Sequence, residues 1–229
     1  MVPSVKSIMR NNPWDSDSNF DWDYIKSEWD RLALKKQKAL FIEASPPNII
    51  RVSSILKNFP NCKFAFSISS PYSYIASHCF NANPDKLPLL EIIEIASKEW
   101  IKKATVQVSN INTFSSDSSF MTYEDFCVNP ECLLEKLQIS NQDLDNSDIQ
   151  LTGKQNTKYS MIMDMLPKHL SFLGVTGINQ VNQLLSQEIE LLKFFGYKLL
   201  DLHECNSIIS QNLLLAFDGL GRRRRKNLI

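Results

Sequence analysis

The sequence predicts an α/β fold in which helices cover a parallel sheet, and three observations carry that expectation. Short continuous apolar runs, ALFIE (39–43) and KFAFSIS (63–69), have the length and composition of buried strands. Each run is followed by a serine-proline turn that opens a helical pattern, Ser45-Pro46-Pro47 after the first and Ser69-Ser70-Pro71 after the second. Strand-like and helix-like stretches alternate along the chain without an internal repeat, which is the pattern of a layered α/β domain.

Taken in order, residues 1–19 are polar and read as an irregular arm. From Phe20 a helix is expected, because Trp22, Ile25, Trp29 and Leu32 recur on one face and form a core stripe. ALFIE is the first strand. Ser45 is the expected N-cap of the next helix, with Ile49, Val52 and Leu56 as its apolar face, and Phe59-Pro60-Asn61 ends it. KFAFSIS then completes a βαβ unit of roughly 30 residues with a right-handed crossover.

Pro71 opens a helix that reaches Phe80, and Asn83-Pro84 and Pro88 interrupt the chain. A further helix places Ile93, Ala96 and Trp100 on one face. Residues 118–122 read as a strand that leads into Tyr123-Glu124-Asp125-Phe126. Asn129 caps a short helix with Pro130 at its first position, continuing to about Leu137. Residues 140–158 are rich in Asn, Asp, Gln and Ser and read as a long surface loop. Val181, Leu184, Leu185, Leu191, Leu192 and Phe195 trace one strong helix that Gly196 stops.

At 229 residues the chain is long enough for one sizeable core, expected over 20–220. Lys+Arg and Asp+Glu are both 25, so no overall field draws the chain to nucleic acid or to a membrane surface. The basic run Arg222 to Lys226 lies in a tail, 221–229, that reads as solvated, with a phosphate or partner contact as the alternative. The five cysteines are odd in number and scattered, and residues 1–10 lack an apolar leader core, so a reduced, cytoplasmic setting is expected. No Cys/His pair stands at metal-ligand spacing, so no metal is expected. No apolar run approaches the roughly 18–20 residues of a membrane span.

Three segments, in order, carry a resemblance to the sulfotransferase family. FIEASPPNIIRV (41–52) is similar to the family's strand, E-K-[ST]-P and helix. SSPYSYIASH (69–78) is similar to its R-[DN]-P-x5-S segment. MTYEDFCVNPECLLEKL (121–137) is close to V-x-Y-E-D-[LF]-x-x-[NDR]-P-E, and the FFGY at the end of the late helix is also similar to the bacterial branch. Each motif alone is weak, and together they span roughly residues 38–200. The resemblance implies a parallel-sheet, P-loop-like three-layer α/β fold with a helical C-terminal part. It implies transfer of a sulfuryl group from 3′-phosphoadenosine 5′-phosphosulfate to a hydroxyl or amine acceptor.

The same resemblance assigns site residues. Ser77 falls on the serine that holds the nucleotide's 3′-phosphate, and Ser69 occupies the place of the partnering arginine. A hydroxyl there replaces a bidentate guanidinium, at a cost of about 1.5–3 kcal/mol, or one to two decades in affinity. Glu43 falls on the glutamate that acts as general base in the glycan-modifying branch. The neighbouring lysine is Ala44 here. The structural alternative for Glu43 is a carboxylate that accepts a helix-start N–H.

His78, directly after Ser77, is a second candidate base or acceptor contact, while His169 and His203 read as satisfied or exposed. Tyr123-Glu124-Asp125 reads as a group that closes the strand end and anchors neighbouring loops by hydrogen bonds. Lys154, in Thr152-Gly153-Lys154, stands near the family's late nucleotide-contacting loop. The first glycine is Gly153, so no glycine-built phosphate cradle precedes the βαβ unit, and the expected fold is truncated at its N-terminus. The absence of a Walker lysine loop also disfavours a nucleotide kinase or NTPase. The alternative to a transferase is a non-catalytic remnant of the same fold that binds a nucleotide, a glycan or a protein.

Overall fold

A computed structural model describes residues 14–15, 20–36, 42–82, 87–129, 131–137 and 164–212. Within them the elements are α1 (Trp22–Lys36), a 3₁₀ turn (Pro46–Ile50), α2 (Val52–Asn58), β1 (Phe64–Ile68), α3 (Pro71–Asn81) and α4 (Leu89–Thr113). There follow β2 (Ser118–Thr122), α5 (Tyr123–Val128), α6 (Glu131–Leu137), α7 (Leu166–Leu185), α8 (Ile189–Phe194) and α9 (Leu202–Gln211). The chain is mixed helix and strand, mostly helical, with a small parallel sheet of two strands among the described residues.

α4 organises the rest. Its 25 residues extend about 37 Å at 1.5 Å per residue. Ile93, Ala96, Trp100 and Ala104 recur at helical spacing and are buried, as the sequence predicts for the first three. They pack against Tyr72, Ile75 and Cys79 of α3 and Leu170, Leu173 and Val181 of α7 in one continuous core. Each such aliphatic side chain contributes about 1.5–3 kcal/mol by leaving water. Ser97, buried on the same face, is satisfied by donating to the Ile93 carbonyl at 2.7 Å.

β1 and β2 pair in parallel, with Phe64 opposite Ser118 and Ile68 opposite Thr122. The crossover between them runs through α3 and α4. β1 is half-buried rather than fully buried. Phe66 and Ile68 face the core while Ala65 and Ser67 are exposed. α6 lies along the sheet, with Ser119 Oγ donating to the Lys136 carbonyl and Lys136 Nζ to the Phe120 carbonyl.

Several expectations are corrected. Of the first expected strand, residues 39–41 lie outside the described residues. Ile42 and Glu43 have no regular structure, and Ile42 is 65% exposed. β1 therefore takes β2 as its partner among the described residues, and the βαβ unit over 39–69 is not seen there. The helix after Ser45 is two pieces: the 3₁₀ turn carries its prolines, and Arg51 separates it from α2. Arg51 is only 2% exposed. It donates to the Pro47 and Asp15 carbonyls and lies 4.9 Å from the Phe20 ring centre. In α1, Ile25 is buried and Trp22 and Trp29 pack on Phe59, but Leu32 is exposed.

The late helix is likewise broken. α7 starts at Leu166, kinks at Gly174, and ends at Leu185, and Ser186 to Glu188 separate it from α8. Gly174 has φ 61° and ψ −177°, a conformation essentially closed to residues with a Cβ. Gly196 does stop α8: at φ 77° it lets its own N–H reach the Lys193 carbonyl and the Tyr197 N–H reach Leu192. α9 begins at a capping box formed by Asp201 and Glu204, although its apolar spacing is too short to predict it. Most of the 1–19 arm, the Asn83-Pro84 break, Pro130, the 140–158 loop and the 221–229 tail lie outside the described residues. Among the described residues no helix is long and apolar enough to cross a membrane.

Candidate functional site

Both strands end in residues that start helices, and the two ends lie side by side because the pairing is parallel. After Ile68 the chain passes Ser69 to Ser70, the N-cap of α3, with Pro71 at the first helical position. Ser70 Oγ accepts from the Ser73 N–H at 3.3 Å. After β2, Thr122 caps α5 in a capping box with Asp125, whose N–H reaches Thr122 Oγ1 at 3.0 Å.

Most donors and acceptors at this end are paired with one another, although Ser73 Oγ and Gln107 Oε1 are buried without a hydrogen-bond partner among the described residues. The Ser70 N–H donates to Glu124 Oε1 at 2.9 Å. The Tyr197 hydroxyl donates to Glu124 Oε2 at 2.6 Å and lies 3.2 Å from the Ile68 carbonyl oxygen. Trp100 Nε1 donates to the Ser69 carbonyl at 3.1 Å, and Gln107 Nε2 to that of Ser67 at 3.0 Å. Burial, reinforced by the Glu124 carboxylate, holds the Tyr197 phenol far above its usual range. Glu124 thus supplies the negative charge at the opening of α3, where the helix dipole favours an anion.

The sequence-predicted residues are divided by the fold. Ser69, Ser77 and His78 all lie on α3 or its entry, with Ser69 and Ser77 half-buried. Glu43 is exposed, and its Oε1 accepts from the Ser45 N–H at 2.9 Å, the helix-start bond of the structural alternative. The turn after it is anchored by Asn110 Nδ2, which donates to the Ile49 carbonyl at 2.6 Å. Asn110 stands ten residues beyond Trp100, which contacts Ser69, so the two anchor points are about 15 Å apart along α4. Lys154 lies outside the described residues.

A second set of polar groups sits on the flank shared by α3 and α4. Tyr74 and His78 are one turn apart on α3, their ring centres 4.4 Å apart. Glu99 and Lys103 are one turn apart on α4. Tyr74 Oη donates to Glu99 Oε2 at 3.2 Å and accepts from Lys103 Nζ at 2.5 Å. His78 Nδ1 lies 3.7 Å from Glu99 Oε2, an electrostatic contact rather than a hydrogen bond. Lys103 Nζ also lies 4.8 Å from the Trp14 ring centre.

Partial burial lowers the His78 pKa, Glu99 opposes that shift and Lys103 adds to it, so the net effect favours the neutral imidazole. Burial together with Glu99 raises the phenol of Tyr74. Sequence reasoning missed Tyr74, Glu99 and Lys103. The signal available was the pair of four-residue spacings, Tyr74/His78 and Glu99/Lys103.

His203 is exposed as expected, but His169 is not satisfied. Its Nδ1 is buried with no hydrogen-bond partner among the described residues, and burial pushes the imidazole down to about 4. Among the described residues no cluster of three or more His, Cys, Asp or Glu is placed to hold a metal ion. Comparison with known proteins finds no matching protein-family model, no matching curated protein and no matching solved structure.

Proposed function

We propose that the chain is a sulfotransferase-like protein with a P-loop-like core. It would take 3′-phosphoadenosine 5′-phosphosulfate as donor and a hydroxyl or amine compound as acceptor, in a cytoplasmic setting. One observation supports the reading above the others. Two parallel strands each run directly into a helix start capped by a hydroxyl residue, Ser70 and Thr122, in the order of the second and third motif segments. In this reading Ser77 and Ser69 contact the nucleotide's 3′-phosphate and Lys154 a further part of it. The bond from sulfur to the phosphate's bridging oxygen breaks as a bond from sulfur to the acceptor forms. Glu43, or His78 in its place, takes the acceptor's proton. The chemistry rests on positioning and on stabilising charge spread over the sulfuryl oxygens.

A second reading, a non-catalytic remnant that binds a nucleotide, glycan or protein, is favoured by a specific observation. The Ser70 N–H, a donor at the opening of α3, is already taken by Glu124. Calorimetry with 3′-phosphoadenosine 5′-phosphate tests the first reading. Saturable heat that weakens about tenfold in Ser77→Ala supports it. No heat at high micromolar nucleotide would overturn it. Heat without sulfuryl transfer to any hydroxyl or amine acceptor would select the non-catalytic reading.

A further inference from the structure

Between the end of α3 and the start of α4 the surface opens into a pocket of about 340 Å³. His78 and Asn81 form its polar wall, and Leu87, Ile92, Ile95 and Ala96 its apolar one. The volume is at the lower end of the range for small-molecule sites and holds one ring with a short substituent. Ile95 is 47% exposed and Leu87 is also partly exposed, so apolar surface is left in contact with water around the opening.

The polar wall has a defined hydrogen-bonding character. Glu99 Oε2 lies 3.7 Å from His78 Nδ1. A carboxylate on that side favours the tautomer with its proton on Nδ1, which leaves Nε2, on the far side of the ring, as an acceptor. The charge of Glu99 is itself balanced by Lys103 at 3.7 Å, and its Oε2 also accepts from Tyr74. The cluster therefore has no net charge with which to recognise an ion. Asn81 adds a side chain that can both donate and accept.

We propose that this pocket binds a small uncharged ligand with an apolar ring and a hydroxyl group, the ring on Ile92, Ile95 and Ala96 and the hydroxyl donating to His78 Nε2. The pocket shares His78 with the proposed transfer reaction, where it is the alternative base, but the proposal does not rest on that reaction, since it involves neither Ser77 nor the opening of α3. The test is an NMR titration of the full chain, following the His78 ring resonances, with phenol, toluene and benzoate as probes. A ligand of phenol's size is expected to saturate at about ten millimolar or below.

Phenol should bind about tenfold more tightly than toluene, the worth of one hydrogen bond, and benzoate should not exceed toluene. His78→Phe keeps a ring against Tyr74 and should reduce phenol to the toluene level. Ile95→Asp should remove binding of both. Both positions are partly exposed, so neither change threatens the core. Equal binding of phenol and toluene, a phenol preference that survives His78→Phe, tighter binding of benzoate, or no saturable shift would each overturn the proposal.

Discussion

The two regions that α3 touches are built on opposite principles. At its start the strand ends, α4 and the Tyr197 turn converge, and the polar groups named there answer one another: Ser70 N–H to Glu124, Tyr197 to Glu124, and Trp100 to Ser69. Along its flank Tyr74, His78, Glu99 and Lys103 form a half-exposed chain of contacts beside an open pocket. The difference teaches where rigidity and binding capacity separate. In a buried network each unpaired group costs about 1–3 kcal/mol, so most of the groups there are paired. A partly solvated cluster carries no such demand and can keep an acceptor such as His78 Nε2 available to a ligand.

Substitutions can break or sharpen that contrast. The largest effect is expected for Trp100→Ala, since Trp100 is 1% exposed and its indole N–H holds the Ser69 carbonyl. Chemical denaturation should show a loss of about 3–5 kcal/mol. A loss below about 1 kcal/mol would mean that α4 does not organise the strand ends.

Next in size is the contrast between two carboxylates. Glu124→Ala removes the acceptor for the Ser70 N–H and the Tyr197 hydroxyl and should cost about 1–3 kcal/mol. Glu99→Ala, in the half-exposed cluster, should change stability by no more than about 0.5 kcal/mol. Equal costs would erase the distinction between the two regions.

The smallest effect is a titration. His78 should show an NMR pKa below the usual value of about 6.5. Glu99→Gln should lower it further and Lys103→Met should raise it, because the carboxylate favours the imidazolium and the ammonium opposes it. Above the unfolded value both states are neutral at this residue. As pH falls, the unfolded chain takes up the proton first, so any stability linked to His78 is lost towards acid. A pKa above 6.5, or one indifferent to Lys103→Met, would contradict the cluster's geometry.

Much of the local structure was legible because local rules write it. Ser70-Pro71 marks the start of α3, and Ile93, Ala96 and Trp100 the buried face of α4, whereas the helix α5 that Thr122 and Asp125 start was not expected. The strand expected at residues 39–43 was not supported at its described end, because an apolar run cannot reveal whether a neighbouring strand awaits it. The single late helix expected around Val181 to Phe195 failed for a related reason. Its apolar spacing continues across Ser186 to Glu188, where the backbone turns. Of the candidate site, Ser69, Ser77 and His78 lie on α3 or its entry because the helix expected after Pro71 forms, whereas the exposed position of Glu43 was not legible.

The sequence by itself determined the serine-proline start of α3 at Ser70, the glycine stop at Gly196 and the strands that became β1 and β2. These depend on residues within a turn of one another. Only the tertiary structure decided that Glu124 would face a Ser70 N–H from 54 positions away and receive the Tyr197 hydroxyl from 73. It also decided that Glu99 would stand beside His78 from the neighbouring helix. Periodicity and capping record which face of an element is buried, whereas the pairing of buried polar groups is chosen when the elements pack.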